Sequence, residues 1–291
     1  MSNGSSTNTA MPDVVGRVSA SFDVTGGLTR MRSHHHAYPL KIAKTFRFPQ
    51  QQLGVYVMDA SPGMMAGDRY ELDWEFGEGS CAYVTNQSYT KVHPPRAPGS
   101  DIAELSVQNQ SFRLAAGAYV EYMPEPVMLY RDAGLWSRTE VRLGSGASFL
   151  SGEILCPGRT YRGEQFGFRL YRNRLAVYEE DELIYYNQQR VEPDHGAPQT
   201  IGRWGSLTHA GSLLLFSERA DAPLAEALRG HLEECFTARG ELSFGISLTA
   251  KHGLVLNALG GGVLDLQRLL HQAWSFVRSE LFGLTVWTPP K

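Results

Sequence analysis

Residues 61–93 read SPGMMAGDRYELDWEFGEGSCAYVTNQSYTKVH, a turn followed by two strand-like runs. The first eight residues are typical of a turn, because Pro62 fixes its own φ and because Gly63 and Gly67 tolerate positive φ. Residues 70–76 then alternate apolar Tyr, Leu, Trp and Phe with acidic side chains. A period of two predicts a strand with one buried face. This stretch therefore predicts a turn that leads into β structure.

The second strand-like run, residues 82–93, carries hydrogen-bonding side chains on both faces. Between its apolar ends lie Thr85, Asn86, Gln87, Ser88, Thr90 and Lys91. A strand this polar needs hydrogen-bonding partners if it is buried. Two interpretations stay open on these residues alone: an edge or hairpin strand with solvated polar groups, or a buried strand whose polar groups are partnered.

Composition excludes several classes of protein. The chain has 291 residues, a formal net charge of −3 and a pI near 6.3, so it offers no electrostatic basis for nucleic-acid binding. No apolar run approaches the roughly 20 residues that span a bilayer, and no signal peptide is visible. Cys81, Cys156 and Cys235 are odd in number and far apart, which favours reduced thiols over disulfides or zinc. We therefore expect a soluble, cytoplasmic protein without membrane or nucleic-acid partners.

Short strand-like runs, separated by Gly, Pro and Asp, fill most of the chain after a polar N-terminus. We expect residues 1–13 to form a disordered tail. Residues 14–291 are expected to form one domain, strand-rich over 14–218 and helix-containing over 219–291. This density of strands without intervening helical periods predicts an all-β fold.

Two helices are predicted in the C-terminal part. Asp221 is suited to cap a helix that Pro223 opens, and a second helix is predicted from about Gly262 to Phe282. Apolar residues repeat at intervals of three and four along the second helix. Trp274 and Phe276 lie beside this stripe, where they form either the edge of the core or a docking surface.

Three consecutive histidines, His34, His35 and His36, are predicted to lie in a surface loop. They are weak candidates for metal ligands, because imidazoles adjacent in sequence converge poorly on one ion unless the loop folds back. Since no other cluster of His and Cys has ligand spacing, we expect neither a tightly bound metal nor a cofactor.

No catalytic motif is present: the chain lacks a Gly-x-Ser-x-Gly elbow, a Walker loop and a His-Glu-x-x-His pair. The most charged block contains Glu153, Arg159, Arg162 and Glu164 among glycines. Opposite charges at this spacing predict either buried Arg–carboxylate pairs or charges at the rim of a partner surface.

Several blocks, in this order and spacing, together resemble the UreD (or UreH) family of urease accessory proteins. The resemblance covers roughly residues 16–285. Its blocks are Pro39–Lys41, Gly63–Asp68, Thr85–His93, Gly117–Tyr130, Gly152-Glu153, Gly158–Glu164 and the C-terminal helix with Trp274 and Arg278. Each block is weak alone, whereas the ordered set is specific.

The resemblance implies a fold of stacked β-sheets, helical or solenoid-like, with a small C-terminal pair of α-helices. It also implies a non-catalytic protein. Members of the family bind UreF, which recruits the GTPase UreG, and dock this complex on apo-urease. The assembly assists delivery of Ni²⁺, its transient cargo, to the urease active site, and an internal water-filled passage has been proposed as the route.

A passage for nickel needs oxygen or nitrogen ligands that release the ion, since dense thiolate or imidazole ligation would trap it. The polar side chains that we expect in or beside such a passage are Asp68, Thr85, Gln87, Lys91, Glu153 and Glu164. A structural alternative exists for the three carboxylates. In it, both Glu residues pair with neighbouring arginines and Asp68 caps its own turn.

Trp274 and Phe276 are the candidate contacts to UreF, on the expectation that they are exposed. A β-solenoid enzyme acting on polysaccharide is the competing function. The aromatic and acidic residues around Glu121 and Glu125 could imitate its cleft, but regular coil repeats are absent. A nickel-storage protein is disfavoured, because nine His and three Cys are scattered along the chain.

Overall fold

The computed structural model describes residues 14–95, 105–193, 204–236 and 242–287, so the predicted tail of residues 1–13 lies outside the described residues. The described strands are β1 (Val15–Thr25), β2 (Leu28–Ala37), β3 (Leu40–Arg47), β4 (Leu53–Asp59), β5 (Arg69–Phe76), β6 (Cys81–Asn86), β7 (Thr90–Val92), β8 (Ser106–Leu114), β9 (Tyr119–Tyr122), β10 (Val127–Leu129), β11 (Gly134–Leu143), β12 (Ser148–Cys156), β13 (Leu170–Glu179), β14 (Glu182–Val191), β15 (His209–Phe216), β16 (Leu242–Leu248) and β17 (Gly253–Gly260). The helices are α1 (Ala222–Cys235) and α2 (Val263–Phe282).

The strands form two sheets. Sheet A has seven strands in the order β14-β13-β11-β8-β5-β1-β2. Sheet B has ten strands, eight of them in the order β16-β17-β15-β12-β9-β6-β4-β3, with β7 and β10 beside that path. From β4 to β13 the chain alternates repeatedly between the sheets, and neighbouring strands in this part run parallel.

The prediction of a mainly β fold with stacked sheets and two C-terminal helices is confirmed. The finer prediction of a solenoid is not confirmed, because the sheets are not closed and antiparallel pairs end each of them, such as β1–β2 and β13–β14. The C-terminal part also contributes β16 and β17 to sheet B, which the strand prediction did not include.

One hydrophobic core lies between the sheets, where the period-two pattern points apolar side chains inward. Phe22 and Phe76 of sheet A stack with ring centroids 4.9 Å apart, and Phe112 of sheet A lies 5.1 Å from Phe149 of sheet B. All four rings are buried. Burying each such ring stabilises the sandwich by about 1.5–3 kcal/mol, so the paired inner faces hold the two sheets together.

A second core lies on the other face of sheet B, against the helices. Asp221 caps α1 as predicted, since its Oδ1 accepts a hydrogen bond from Leu224 N at 2.9 Å. Along α2 the buried apolar positions recur at three and four residues, with Leu266, Leu270 and Val277 among them. The molecule therefore has three layers: sheet A, sheet B and the helical pair. Neither described helix is long and apolar enough to cross a membrane.

Two local predictions are wrong. The histidines from His34 to His36 belong to strand β2 at the edge of sheet A, and not to a loop. Trp274, predicted beside the core stripe and exposed, is 1 % exposed and packs in the helical core. The period of α2 places Trp274 one turn before the buried Arg278, so both point at sheet B.

Candidate functional site

A cavity of about 600 Å³ lies between the inner faces of the two sheets, and we call it the sandwich cavity. Its lining includes many hydroxyl and amide side chains at inward strand positions, where the hydrophobic core would otherwise continue. They are Thr90, Gln108, Gln110, Ser137, Thr139, Ser151, Asn173, Asn187, Gln189, Ser212, Ser243 and Asn257. Polar groups inside a protein are costly unless water or other groups satisfy them, so this lining indicates a hydrated interior.

The charges of the sandwich cavity have one sign. Among its described lining residues, the ionisable acids are Glu125 and Glu153, and there is no Lys, Arg, His or Cys. Carboxylate, hydroxyl and amide oxygens are hard ligands, which bind a borderline metal ion such as Ni²⁺ less tightly than thiolates do. The cavity is therefore suited to admit a divalent cation without trapping it.

Glu153, on β12, is held by neutral donors. Its carboxylate accepts hydrogen bonds from the hydroxyl of Tyr171 and from Asn173 Nδ2, the latter at 2.8 and 3.1 Å. Burial raises the pKa of Glu153, while these hydrogen bonds act in the opposite direction. Within the described part of the chain, no cationic side chain pairs with it. Glu153 is thus a half-buried carboxylate that no described cationic side chain neutralises.

A second cavity, of about 1060 Å³, lies between sheet B and α2, and we call it the helix-side cavity. The two cavities share lining residues at one place: Pro124, Glu125, Gly152 and Glu153. A Cβ added at Gly152 would lie 2.8 Å from Met123 Cε, so glycine leaves room where sheet B separates the cavities. The described lining of the helix-side cavity also includes Cys235 and His271, which are softer ligands.

Of the six predicted passage residues, three line these spaces. Glu153 lines both cavities, whereas Thr85 and Gln87 line a third, smaller cavity of about 50 Å³. That small cavity shares Gln108 and Tyr122 with the sandwich cavity. Thr85 Oγ1 donates to the carbonyl of Met123 at 2.6 Å, and Gln87 is exposed in the turn between β6 and β7.

The other three predicted residues lie elsewhere. Asp68 caps its own turn, since its carboxylate accepts from Met65 N at 2.8 Å and from Val14 N at 3.1 Å. Glu164 pairs with Arg159, whose Nε donates to Oε2 at 2.8 Å. Lys91 is exposed on β7. None of the three lines either large cavity. The contacts of Asp68 and Glu164 match the alternative in which Asp68 caps its own turn and Glu164 pairs with an arginine.

A buried ion pair between Glu121 and Arg278 escaped the sequence reasoning. Glu121 lies on β9 and Arg278 on α2, with Nη1 and Oε1 2.5 Å apart and both side chains fully buried. Burial raises the pKa of Glu121, and the guanidinium opposes that rise. Glu121 therefore points into the helical core and is unavailable to a catalytic cleft. Both residues belong to blocks that carry the family resemblance, and this is the only feature of the sequence that singles them out.

The three histidines of β2 do not form a metal site with other described ligands. His34 and His36 share one face of the strand, with ring centroids 5.7 Å apart, and His35 points to the opposite face. Within the described ranges, no group of three or more His, Cys, Asp or Glu side chains is placed to hold a metal ion.

These features define the class of the protein: a layered β scaffold with a polar cavity between its sheets, lined by two carboxylates. The UreD urease accessory protein family model matches residues 14–290. Urease accessory protein UreD of Acetivibrio thermocellus is 33% identical over 248 residues, which cover 85% of this chain and 91% of the relative. UreD of Haloarcula marismortui is 26% identical over 274 residues, covering 93% of this chain and 88% of that protein. The chain belongs to the UreD family of urease accessory proteins.

Proposed function

We propose that this chain is a non-catalytic scaffold that assists nickel delivery to urease. It binds UreF directly, contacts the GTPase UreG through UreF, and docks the complex on apo-urease. Ni²⁺ is a transient cargo that crosses the interior of the scaffold and is not held as a resident cofactor. Membership of the urease accessory family supports the general role, and the interior of the fold supports the route.

The sandwich cavity is the single observation that carries this proposal. Its described lining combines two carboxylates with hydroxyl and amide oxygens and contains no cationic side chain, imidazole or thiol. A negative, hydrated interior attracts a divalent cation, and oxygen ligands allow the ion to leave again. At about 30 Å³ per water, a volume of about 600 Å³ holds enough water for an ion to keep part of its hydration shell.

Glu153 is the central residue of the proposed route, because it lines both large cavities. An ion that leaves the sandwich cavity beside Gly152 enters the helix-side cavity, whose lining adds Cys235 and His271. It also adds Arg268, which is paired with Asp265 at 3.8 Å. Burial lowers the pKa of His271, so its imidazole is neutral and able to ligate near pH 7. The ligands thus change from oxygen to nitrogen and sulfur along the route.

The competing enzymatic function has no comparable support. The carboxylate pair that the sequence offers for an enzymatic cleft is Glu121 and Glu125, and Glu121 is instead fully buried against Arg278. The direct test is reconstitution of apo-urease with UreF, UreG, GTP and Ni²⁺, with and without this chain. We expect nickel in urease, measured by mass spectrometry, to depend on the chain. Equal nickel content without it would contradict the proposed function.

A further inference from the structure

The outer face of sheet A, which points away from sheet B, carries a group of arginines around one tryptophan. The inward residues of β11 include the buried Leu135 and Val141, so Trp136 and Arg138 point outward. In the register of the sheet, Trp136 lies beside Arg172, and Arg138 lies beside Arg174. We call this surface the arginine face; it comprises Arg69, Trp136, Arg138, Arg172, Arg174 and Arg190.

Two guanidinium groups of the arginine face lie near the ring of Trp136. The Cζ of Arg138 is 3.4 Å from the ring centroid, and that of Arg172 is 4.7 Å away. Cation–π contacts of this kind hold a guanidinium in a fixed orientation. The arginines are therefore ordered on the sheet, although their charges repel one another.

The charges at the centre of the arginine face are not balanced. Arg138, Arg172 and Arg174 form no salt bridge with the residues that the structure describes, and the Nε of each is buried without a hydrogen-bond acceptor. Burial lowers the pKa of Arg138, and the nearby Arg174 and Arg172 lower it further. Exposed arginines elsewhere on the same face are paired, as in Arg113 with Glu75 and Arg142 with Glu140. Arg172 donates to Gln188 Oε1 at 3.2 Å, but none of the central three has the acidic partner that its neighbours have among the described residues.

We propose that the arginine face docks a carboxylate-rich surface of a partner protein, whose acidic side chains pair with Arg138, Arg172 and Arg174. A planar guanidinium binds a carboxylate through two parallel hydrogen bonds, which also satisfies an unpartnered Nε. The face crosses five neighbouring strands from β5 to β14, roughly 20 Å, which suits a protein interface. The proposal rests on the proposed scaffold role, but not on the nickel route.

An acidic protein fits this surface better than a nucleic acid does. The chain as a whole has a net charge of −3, and long-range repulsion acts more strongly on a nucleic acid, which is anionic along its whole length, than on a protein with one acidic surface. The ring of Trp136 is already covered by Arg138 and is not free to stack on a base.

The test compares two triple variants with the same change in charge. The first is Arg138→Gln/Arg172→Gln/Arg174→Gln. The control, Arg32→Gln/Arg113→Gln/Arg142→Gln, removes three arginines of sheet A that have acidic partners. The dissociation constants for apo-urease and for UreF are measured separately by biolayer interferometry at several salt concentrations, after circular dichroism has verified folding.

We expect the first variant to weaken binding of one of the two proteins about 100-fold and to reduce its salt dependence, while the control changes binding less than about threefold. If the glutamine variant is poorly folded, the corresponding triple lysine variant keeps the charge and is expected to weaken binding about tenfold. Unchanged affinity for both proteins would overturn the proposal. A wild-type chain that binds neither protein would overturn the scaffold role as well.

Discussion

The guanidinium of Arg278 on α2 donates a hydrogen bond to the carboxylate of Glu121 on β9, over 2.5 Å and without exposed surface on either side chain. Arg278 also donates to Gln52 Oε1 and to the carbonyl of Thr285, each at 2.9 Å. The hydroxyl of Tyr119 donates to Glu121 at 2.6 Å. This network joins the C-terminal helix, and the segment after it, to the centre of sheet B.

Removal of one partner from this pair is expected to destabilise the fold strongly. Arg278→Met leaves the Glu121 carboxylate buried without its cation, which costs about 3–5 kcal/mol of unfolding free energy. Urea denaturation followed by circular dichroism measures the loss. The double variant Arg278→Met/Glu121→Leu is expected to recover most of it. Arg113→Met, which breaks an exposed ion pair, should cost no more than about 1 kcal/mol. Equal losses of unfolding free energy in Arg278→Met and Arg113→Met would contradict the stabilising role of the buried pair.

His209 on β15 is expected to make the fold sensitive to mild acid. Burial lowers the pKa of its imidazole from 6.5 to about 4. Between these values the unfolded chain binds a proton that the folded chain does not. The contribution of His209 to the free energy of unfolding is therefore fully present above pH 6.5. It is lost as the pH drops towards 4, which lowers the free energy of unfolding by roughly 2–3 kcal/mol.

The measurement for His209 is the free energy of unfolding as a function of pH. His209→Gln should remove this part of the acid sensitivity, while His35→Gln, which alters an exposed imidazole, should leave the wild-type profile. Parallel profiles for wild type and His209→Gln would show that the imidazole carries no such effect.

Gly63, in the first turn of the opening stretch, is expected to tolerate no side chain. Its φ is +135°, and an added Cβ would lie 2.5 Å from the carbonyl oxygen of Lys91. Gly63→Ala should therefore cost about 3 kcal/mol or more, through backbone strain and a clash with β7. Gly26→Ala, at φ +60° with open space around it, should cost about 1–2 kcal/mol. Similar midpoints of urea denaturation for the two variants would contradict the claim that the turn has no space for a side chain at Gly63.

The proposed contact with UreF is testable at Phe276 alone. Trp274 is buried in the helical core, so Trp274→Ser is expected to cost about 3–5 kcal/mol and would confuse unfolding with lost binding. Phe276 is half-buried and stacks on His231 of α1, with ring centroids 5.0 Å apart. We expect Phe276→Ser to weaken UreF capture in a pull-down without changing the circular dichroism spectrum. Full capture by that folded variant would remove Phe276 from the proposed interface.

The sequence predicts local structure well where one physical signal dominates. Alternation over 69–76 and the Asp221 cap both correspond to observed elements, because burial and capping act over a few residues. The loop predicted for the histidines of β2 is wrong, because an edge strand tolerates side chains that are polar on both faces.

The candidate site was predictable only in part. Glu153 could be singled out from its glycine-rich block, but its partners Tyr171 and Asn173 come from sheet A. The sandwich cavity combines inward positions from strands far apart in sequence, and no local pattern shows which polar residues face each other. The Glu121–Arg278 pair spans 157 residues for the same reason. Long-range pairing of strands, and not local propensity, creates the site.

Glu153→Gln tests the central claim most directly. The substitution keeps the shape of the side chain and one of the two oxygens that accept hydrogen bonds from Tyr171 and Asn173, but removes the charge that a passing cation needs. Glu78→Gln, at an exposed turn, is the matched control. Both variants are combined with apo-urease, UreF, UreG, GTP and Ni²⁺, and nickel per urease active site is measured by mass spectrometry. We expect both variants to keep the wild-type melting temperature and complex formation. We predict several-fold slower nickel incorporation for Glu153→Gln and the wild-type rate for Glu78→Gln. The wild-type rate for both variants would contradict the proposed route.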